Sequence, residues 1–250
     1  MFIHSLPDGN PVCIQLEQIV KLWLLTSVLV IGLHVSQPSL SEEIWKIASL
    51  NWEPYSSASM TTQGNAIQKL RTLLKQRNIT LLVDFYPWER AKRVARSEEY
   101  VGYFPAWPEE VLDGFVASPT IDWSWIGVLK RADKGLEFRL LEELFTGYKV
   151  GMVSSYVYPE EIMQFTRGSE HNIVYAPNEI SLLKMLVAGR QDFAITDPNA
   201  MIYLSERDGI GEIELVKTLL QKELVIAMRD GADNQHRIEL INELLQDDED

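Results

Sequence analysis

The sequence predicts an α/β protein of two lobes, each a mostly parallel sheet flanked by helices, with two strand crossovers at the hinge. Three observations carry that prediction. From residue 44 onward, segments of strand character alternate with segments of helical character, and strands separated by helices imply parallel sheets covered on both faces. These units form two series of similar size, with the polar stretch Lys130-Arg-Ala-Asp-Lys-Gly135 between them. The composition over 250 residues, 46% hydrophobic and 24% charged, is that of a globular chain with a sizeable core, which excludes a disordered chain or a polytopic membrane protein.

Residues 1–41 read as an address. Lys21 precedes the uncharged apolar run Leu22–Val35, the polar segment Ser36–Ser41 follows, and then the acidic pair Glu42-Glu43. That order predicts a secretory signal cleaved after Ser41, and hence a periplasmic domain. The run is shorter than the roughly 20 residues of a spanning helix, and an uncleaved anchor is the alternative. Residues 1–18 carry Asp8 and Glu17 where positive charge belongs, so translation is expected to start near Val20.

The first series begins with Ile44–Leu50, which alternates like a strand and stops at Asn51-Trp-Glu-Pro-Tyr55. Asn65–Gln76 places Ile67, Leu70, Leu73 and Leu74 on one helical face. Thr80–Phe85 reads as a strand, and Pro87–Ala95 as a helix with proline in its first turn. Tyr100–Phe104 and Ser124–Leu129 are further strands. The second series has strands at Lys149–Val153, Asn172–Tyr175 and Asp192–Thr196, with helices from about Pro159, at Ser181–Val187 and at Asn199–Glu206. A strand at Glu223–Met228 and a helix at Gln235–Leu245 close the chain. If that last strand returns to the first lobe, residues 42–130 and 224–250 form lobe 1 and residues 131–223 form lobe 2, hinged around a cleft.

Charge and motifs narrow the function. Acidic residues outnumber basic ones 36 to 23, and a net charge of −13 repels phosphate backbones, so no nucleic-acid partner is expected. Cys13 is the single cysteine, and the four histidines are scattered without ligand spacing, so neither a disulfide nor a histidine or cysteine metal site is expected. Phosphate-binding glycine loops, nucleophile elbows and zinc-protease motifs are all absent from the sequence. No cofactor is expected.

From about Ile44 to Leu245 the sequence resembles the family 3 solute-binding proteins, the type II periplasmic binding fold of amino-acid uptake systems. The resemblance rests on Trp52-Glu-Pro-Tyr55, on Gly147-Tyr-Lys-Val-Gly-Met-Val-Ser-Ser155, on Gly189-Arg-Gln-Asp-Phe-Ala-Ile-Thr-Asp197 and on Ser118-Pro119. Pro87-Trp-Glu-Arg90 is similar to a subgroup's Pro-Trp-Lys-Arg. The resemblance implies that Trp52 and Trp88 sandwich a ligand, with Tyr55 in the same loop, and that Tyr103 to Trp107 lends backbone groups. It implies that Asp197, beside Thr196, receives an ammonium group. It further implies that Ser155, Tyr156 and Val157 open a second-lobe helix whose free N–H groups hold an anion. It departs from the pattern near Val111, where Pro108-Glu-Glu-Val111 stands in place of a carboxylate-clamping arginine. Arg90 is the candidate substitute, a solvent-facing helix arginine the alternative.

The implied function is non-catalytic: a monomeric periplasmic receptor that captures a small polar, cationic or ring-bearing ligand, such as an amino acid or amine, for an ABC permease or a membrane sensor. Two rivals stay open. One is a lyase resembling the cyclohexadienyl dehydratases, with Glu109, Glu110 or Glu179 as general acid. The other is a sensor or interaction module with a degenerate cleft. Bland alternatives stand beside each residue. The tryptophans can be packing, with Trp123 and Trp125 expected as core or partly buried packing, Asp197 can be an N-cap for the helix from Asn199, and Ser155 can simply make a turn.

Overall fold

The computed structural model describes residues 43–246, so the expected targeting segment and start site lie outside the described residues. Strand β1, Glu43–Ser49, buries Trp45 and Ile47 and pairs in parallel with β2, Ile79–Phe85, and β3, Gly102–Ala106. Helix α1, Asn65–Lys75, covers this sheet with Ala66, Ile67, Leu70, Leu73 and Leu74, the three-and-four spacing of an amphipathic helix. Helix α2, Trp88–Val94, follows; Pro87 is its N-cap rather than its first-turn residue.

A second sheet is built the same way. Strand β6, Val150–Val153, pairs in parallel with β7, Ile173–Ala176, and with β8, Phe193–Thr196. Helices α3, Leu141–Gly147, α4, Glu160–Met163, α5, Glu179–Val187, and α6, Pro198–Asp208, accompany it. Strand β5, Asp122–Arg131, runs antiparallel to β8 and to β9, Ile213–Arg229. The short strand β4, Phe115–Ala117, also pairs with β9, and helix α7, Gln235–Gln246, ends the described chain.

The hydrogen-bonded order β2-β1-β3-β9-β5-β8-β6-β7 is unbroken because β9 serves both sheets. Its residues Val225–Arg229 pair with β3 and β4, whereas Ile213–Leu224 pair with β5. The chain reaches the second half along β5, whose Gly127–Lys130 pair with β8, and the polar stretch after it forms a turn in which Lys130 Nζ donates to the Lys134 carbonyl at 2.6 Å. The expected strand Glu223–Met228 is thus only the buried end of a seventeen-residue strand. Glu214 to Thr218 are exposed, so this stretch lacks the apolar alternation by which strands are recognised. One core runs through both halves, from Trp45 and Leu70 through Trp107 and Ile126 to Phe145 and Phe193.

Candidate ligand-binding cleft

The loop after β1 is folded tightly: Trp52 N–H donates to the Ser56 carbonyl at 2.6 Å, and Tyr55 N–H to the Trp52 carbonyl at 2.9 Å. It is pinned to the start of α1, where the N–H groups of Asn65 and Ala66 donate to the carbonyls of Pro54 and Tyr55 at 2.8 and 3.0 Å. Gly64 permits this approach. Its φ is +106°, and a Cβ there would lie 2.3 Å from the Tyr55 carbonyl oxygen. The Trp52 ring lies against Tyr55 at 4.4 Å.

Trp88 is the first residue of α2, and Trp107 follows β3. The 3₁₀ turn Pro108–Glu110 then folds Glu110 back between them. Trp88 Nε1 donates to Glu110 Oε1 at 2.8 Å, Trp107 N–H donates to Oε2 at 3.2 Å, and Tyr103 Oη donates to the Glu110 carbonyl at 2.7 Å. Trp107 Nε1 reaches Ser124 Oγ on β5 at 2.9 Å. From the second half, Tyr156 follows β6; its hydroxyl accepts from Trp52 Nε1 at 2.8 Å and donates to Glu179, the first residue of α5.

Together these form a cavity lined by Leu50, Trp52, Trp88, Pro105, Trp107, Glu110, Ser155 and Tyr156. At about 20 Å³ it has room for about one water. It adjoins a groove of about 450 Å³ that shares Leu50, Trp88, Ser155 and Tyr156 and adds Asn51, Tyr86, Pro177, Asn178 and Glu179. Grooves of this size accommodate small molecules.

The cleft is negative. Glu110, Glu179 and Asp197 are buried, and among the described residues none of the three takes part in an ion pair. Burial pushes the Glu110 carboxyl above its ordinary range, opposed by the donors on Trp88 and Trp107. It does the same to Glu179, opposed by the Tyr156 hydroxyl and reinforced by the Asp197 charge. Asp197 is pushed up to about 6 by burial, against the N–H groups of Trp125 and Ala200 and the Tyr55 hydroxyl. Burial first, then neighbouring carboxylates, raise the phenols of Tyr55 and Tyr156.

Five of the residues singled out from sequence meet in one cavity: Trp52, Trp88, Trp107, Ser155 and Tyr156. The others stand elsewhere. Asp197 is the N-cap of α6: Oδ1 accepts from Ala200 N–H at 2.8 Å, Oδ2 from Trp125 N–H and the Tyr55 hydroxyl, both at 2.9 Å. Those three donors occupy both oxygens, so the residue expected to meet an ammonium group instead ties the two halves together through Tyr55. Asn199 Nδ2 adds a 3.0 Å bond to the same hydroxyl. Thr196 is buried at the end of β8, with no hydrogen-bond partner for its Oγ1. Tyr103 packs between Trp88 and Phe115 in the first-half core.

Arg90 is exposed, with its guanidinium 5.1 Å from the Tyr86 ring centre, and does not line the cavity. Among the described residues no cationic side chain lines the cavity or its groove, so none of them replaces the carboxylate clamp missing near Val111. Ser155 to Val157 open no helix. They form a turn after β6, and the next helix, α4, starts at Glu160 with four residues, so the expected anion site is not built there. Trp125 is half-buried, as expected, whereas Trp123 is 42% exposed rather than packed, because the inward face of β5 belongs to Ser124 and Ile126. The sequence offers Glu110 and Glu179 only as candidate acids; the signal that Glu110 lies in the cleft is its position just past Trp107, where the pattern calls for arginine.

No family model and no curated protein matches the sequence. Solved structures do. A histidine kinase sensor domain with similarity to periplasmic binding proteins superposes with a TM-score of 0.68 at 17% identity, covering 82% of this chain and 90% of that one. An ancestral arginine-binding protein bound to arginine gives 0.67 at 15% identity, covering 82% and 92%. An ancestral amino acid-binding protein, a precursor of cyclohexadienyl dehydratase, gives 0.62 at 15% identity, covering 82% and 89%. With its two sheets joined by a shared strand and its cavity walled from both halves, the chain has the two-lobed fold of the type II periplasmic binding proteins.

Proposed function

We propose that this chain is a solute receptor that captures a small polar, cationic or ring-bearing ligand between its two lobes. The observation that carries this reading is the cavity itself: rings from both lobes surround a buried carboxylate, with the groove beside it as the way in. A ligand seated there touches Trp88 and Trp107 on one side and Ser155 and Tyr156 on the other, so it favours the closed form by those contacts. The cavity as closed takes little more than a water, so entry requires the lobes to part. The closed form is then read by a membrane partner, an ABC permease or a sensor, after export to the periplasm.

A lyase would use Glu110 or Glu179 as its acid, since both hold their protons more tightly than an exposed glutamate. Prephenate-like acids carry carboxylates, however, and a cleft lined by these two glutamates and no cation repels them. The test is a thermal-shift screen of the full chain against amino acids, amines, opines and small sugars. A binding solute at a hundredfold excess over Kd stabilises by roughly 2.7 kcal/mol, or about 5–10 °C for a domain of this size. An amine is expected to give that shift. A flat response across the whole panel contradicts the receptor reading.

A further inference from the structure

We propose that the ligand is a small alkylammonium ion carrying no carboxylate, with its N–H group bonded to Glu110 at the ring-lined cavity and its alkyl arm leading out past Trp88 and Tyr156 into the adjoining groove. This deepens the receptor reading and rests on it.

Glu110 is 7% exposed, and its two oxygens accept one hydrogen bond each, both from neutral donors. A carboxylate offers about four acceptor directions, so two remain at the cavity wall. The cations nearby are already engaged: Lys222 Nζ pairs with Glu109 at 2.5 Å, and Lys92 Nζ with Glu89 at 2.5 Å. Lys92, over the Trp88 ring, favours the Glu110 charge from a distance but makes its ion pair with Glu89, and a buried carboxylate without a direct ion pair is costly, which a ligand cation relieves. The walls suit the same charge. The ring planes of Trp52 and Trp107, Trp52 and Tyr156, and Trp107 and Tyr156 stand 82°, 88° and 77° apart, so three near-perpendicular rings form the corner of a box. Ring faces attract ammonium groups, and their edges accommodate methylene groups. A ligand carboxylate meets no cation among the described residues of the cavity or groove, and the fixed charges there repel it.

The probes are pentylammonium and norleucine, which differ only by the α-carboxylate, titrated into the full chain while tryptophan emission is followed. Pentylammonium is expected to bind at least about tenfold more tightly than norleucine. Glu110→Gln is expected to weaken pentylammonium about tenfold or more, the effect of losing one charge-assisted hydrogen bond. The comparison of probes on the unaltered chain holds even if the variant folds poorly. Norleucine binding as tightly as pentylammonium, unchanged affinity in a folded E110Q, or no response to pentylammonium overturns the proposal. It falls alone if another solute from the screen binds, and together with the receptor reading if none does.

Discussion

Asp197→Ala lowers the thermal midpoint of the chain by about 10 °C or more. Three donors lose their acceptor at once: the Ala200 N–H that begins α6, the Trp125 N–H on β5 and the Tyr55 hydroxyl from the opposite lobe. A lost cap costs about 1 kcal/mol, and each of the two other buried donors left unpaired about 1–3 kcal/mol, so the sum is on the order of 3–7 kcal/mol. At 2–4 °C per kcal/mol for this size, the midpoint falls by about 10 °C. Asp197→Asn keeps an oxygen for the cap and falls less.

The same residue sets a pH dependence. Its carboxyl holds a proton up to about pH 6 in the folded chain, against an ordinary value of 3.8. The folded state therefore binds the proton more tightly than the unfolded one. Its contribution is greatest below about pH 4 and is lost as pH rises to about 6, by roughly 3 kcal/mol. Calorimetry of the unaltered chain and D197N at pH 4.5 and 7.5 checks both points: the difference moves in favour of D197N at the higher pH. A pH-independent difference, or an alanine variant that melts like the parent, contradicts the assignment.

Tyr156→Phe loosens the closed cleft. The hydroxyl bridges Trp52 of the first lobe to Glu179 of the second, accepting from one and donating to the other. Without it the Trp52 N–H and the Glu179 carboxylate each lose a buried partner, costing about 2–4 kcal/mol. The ring, which packs 4.7 Å from Trp107 and 5.6 Å from Tyr158, remains. The expected result is a midpoint lower by about 5–10 °C and a larger radius of gyration in X-ray scattering. A variant as compact and as stable as the parent shows that this contact does not hold the lobes together.

Most of the fold was legible because its elements are amphipathic and bounded. The α1 face built from Ile67, Leu70, Leu73 and Leu74 announces itself by periodicity, and the buried strands β6 and β8 as short, nearly continuous apolar runs. What was missed is short or polar: β4 with three residues, α3 with seven, and the exposed half of β9. The cleft was legible in its rings and less so in its charges. Tryptophans beside prolines at strand ends point to a surface between elements, and three of them meet there. Which acid faces the cavity depends on the 3₁₀ turn that folds Glu110 back onto Trp88 and Trp107 while Glu109 turns to Lys222. Two adjacent glutamates carry no sign of that division. Asp197 shows the converse: a carboxylate at a helix start satisfies a binding pattern and a capping pattern equally, and only its three donors separate the two.

A crystal structure of the chain with the best solute from the screen shows whether that solute sits between the lobes on an aromatic and anionic surface. The expected result is density bounded by Trp52, Trp88 and Trp107 on one side and Tyr156 on the other, with a cationic group at Glu110. A solute bound on an outer face, with the ring-lined cavity holding only water, would contradict it.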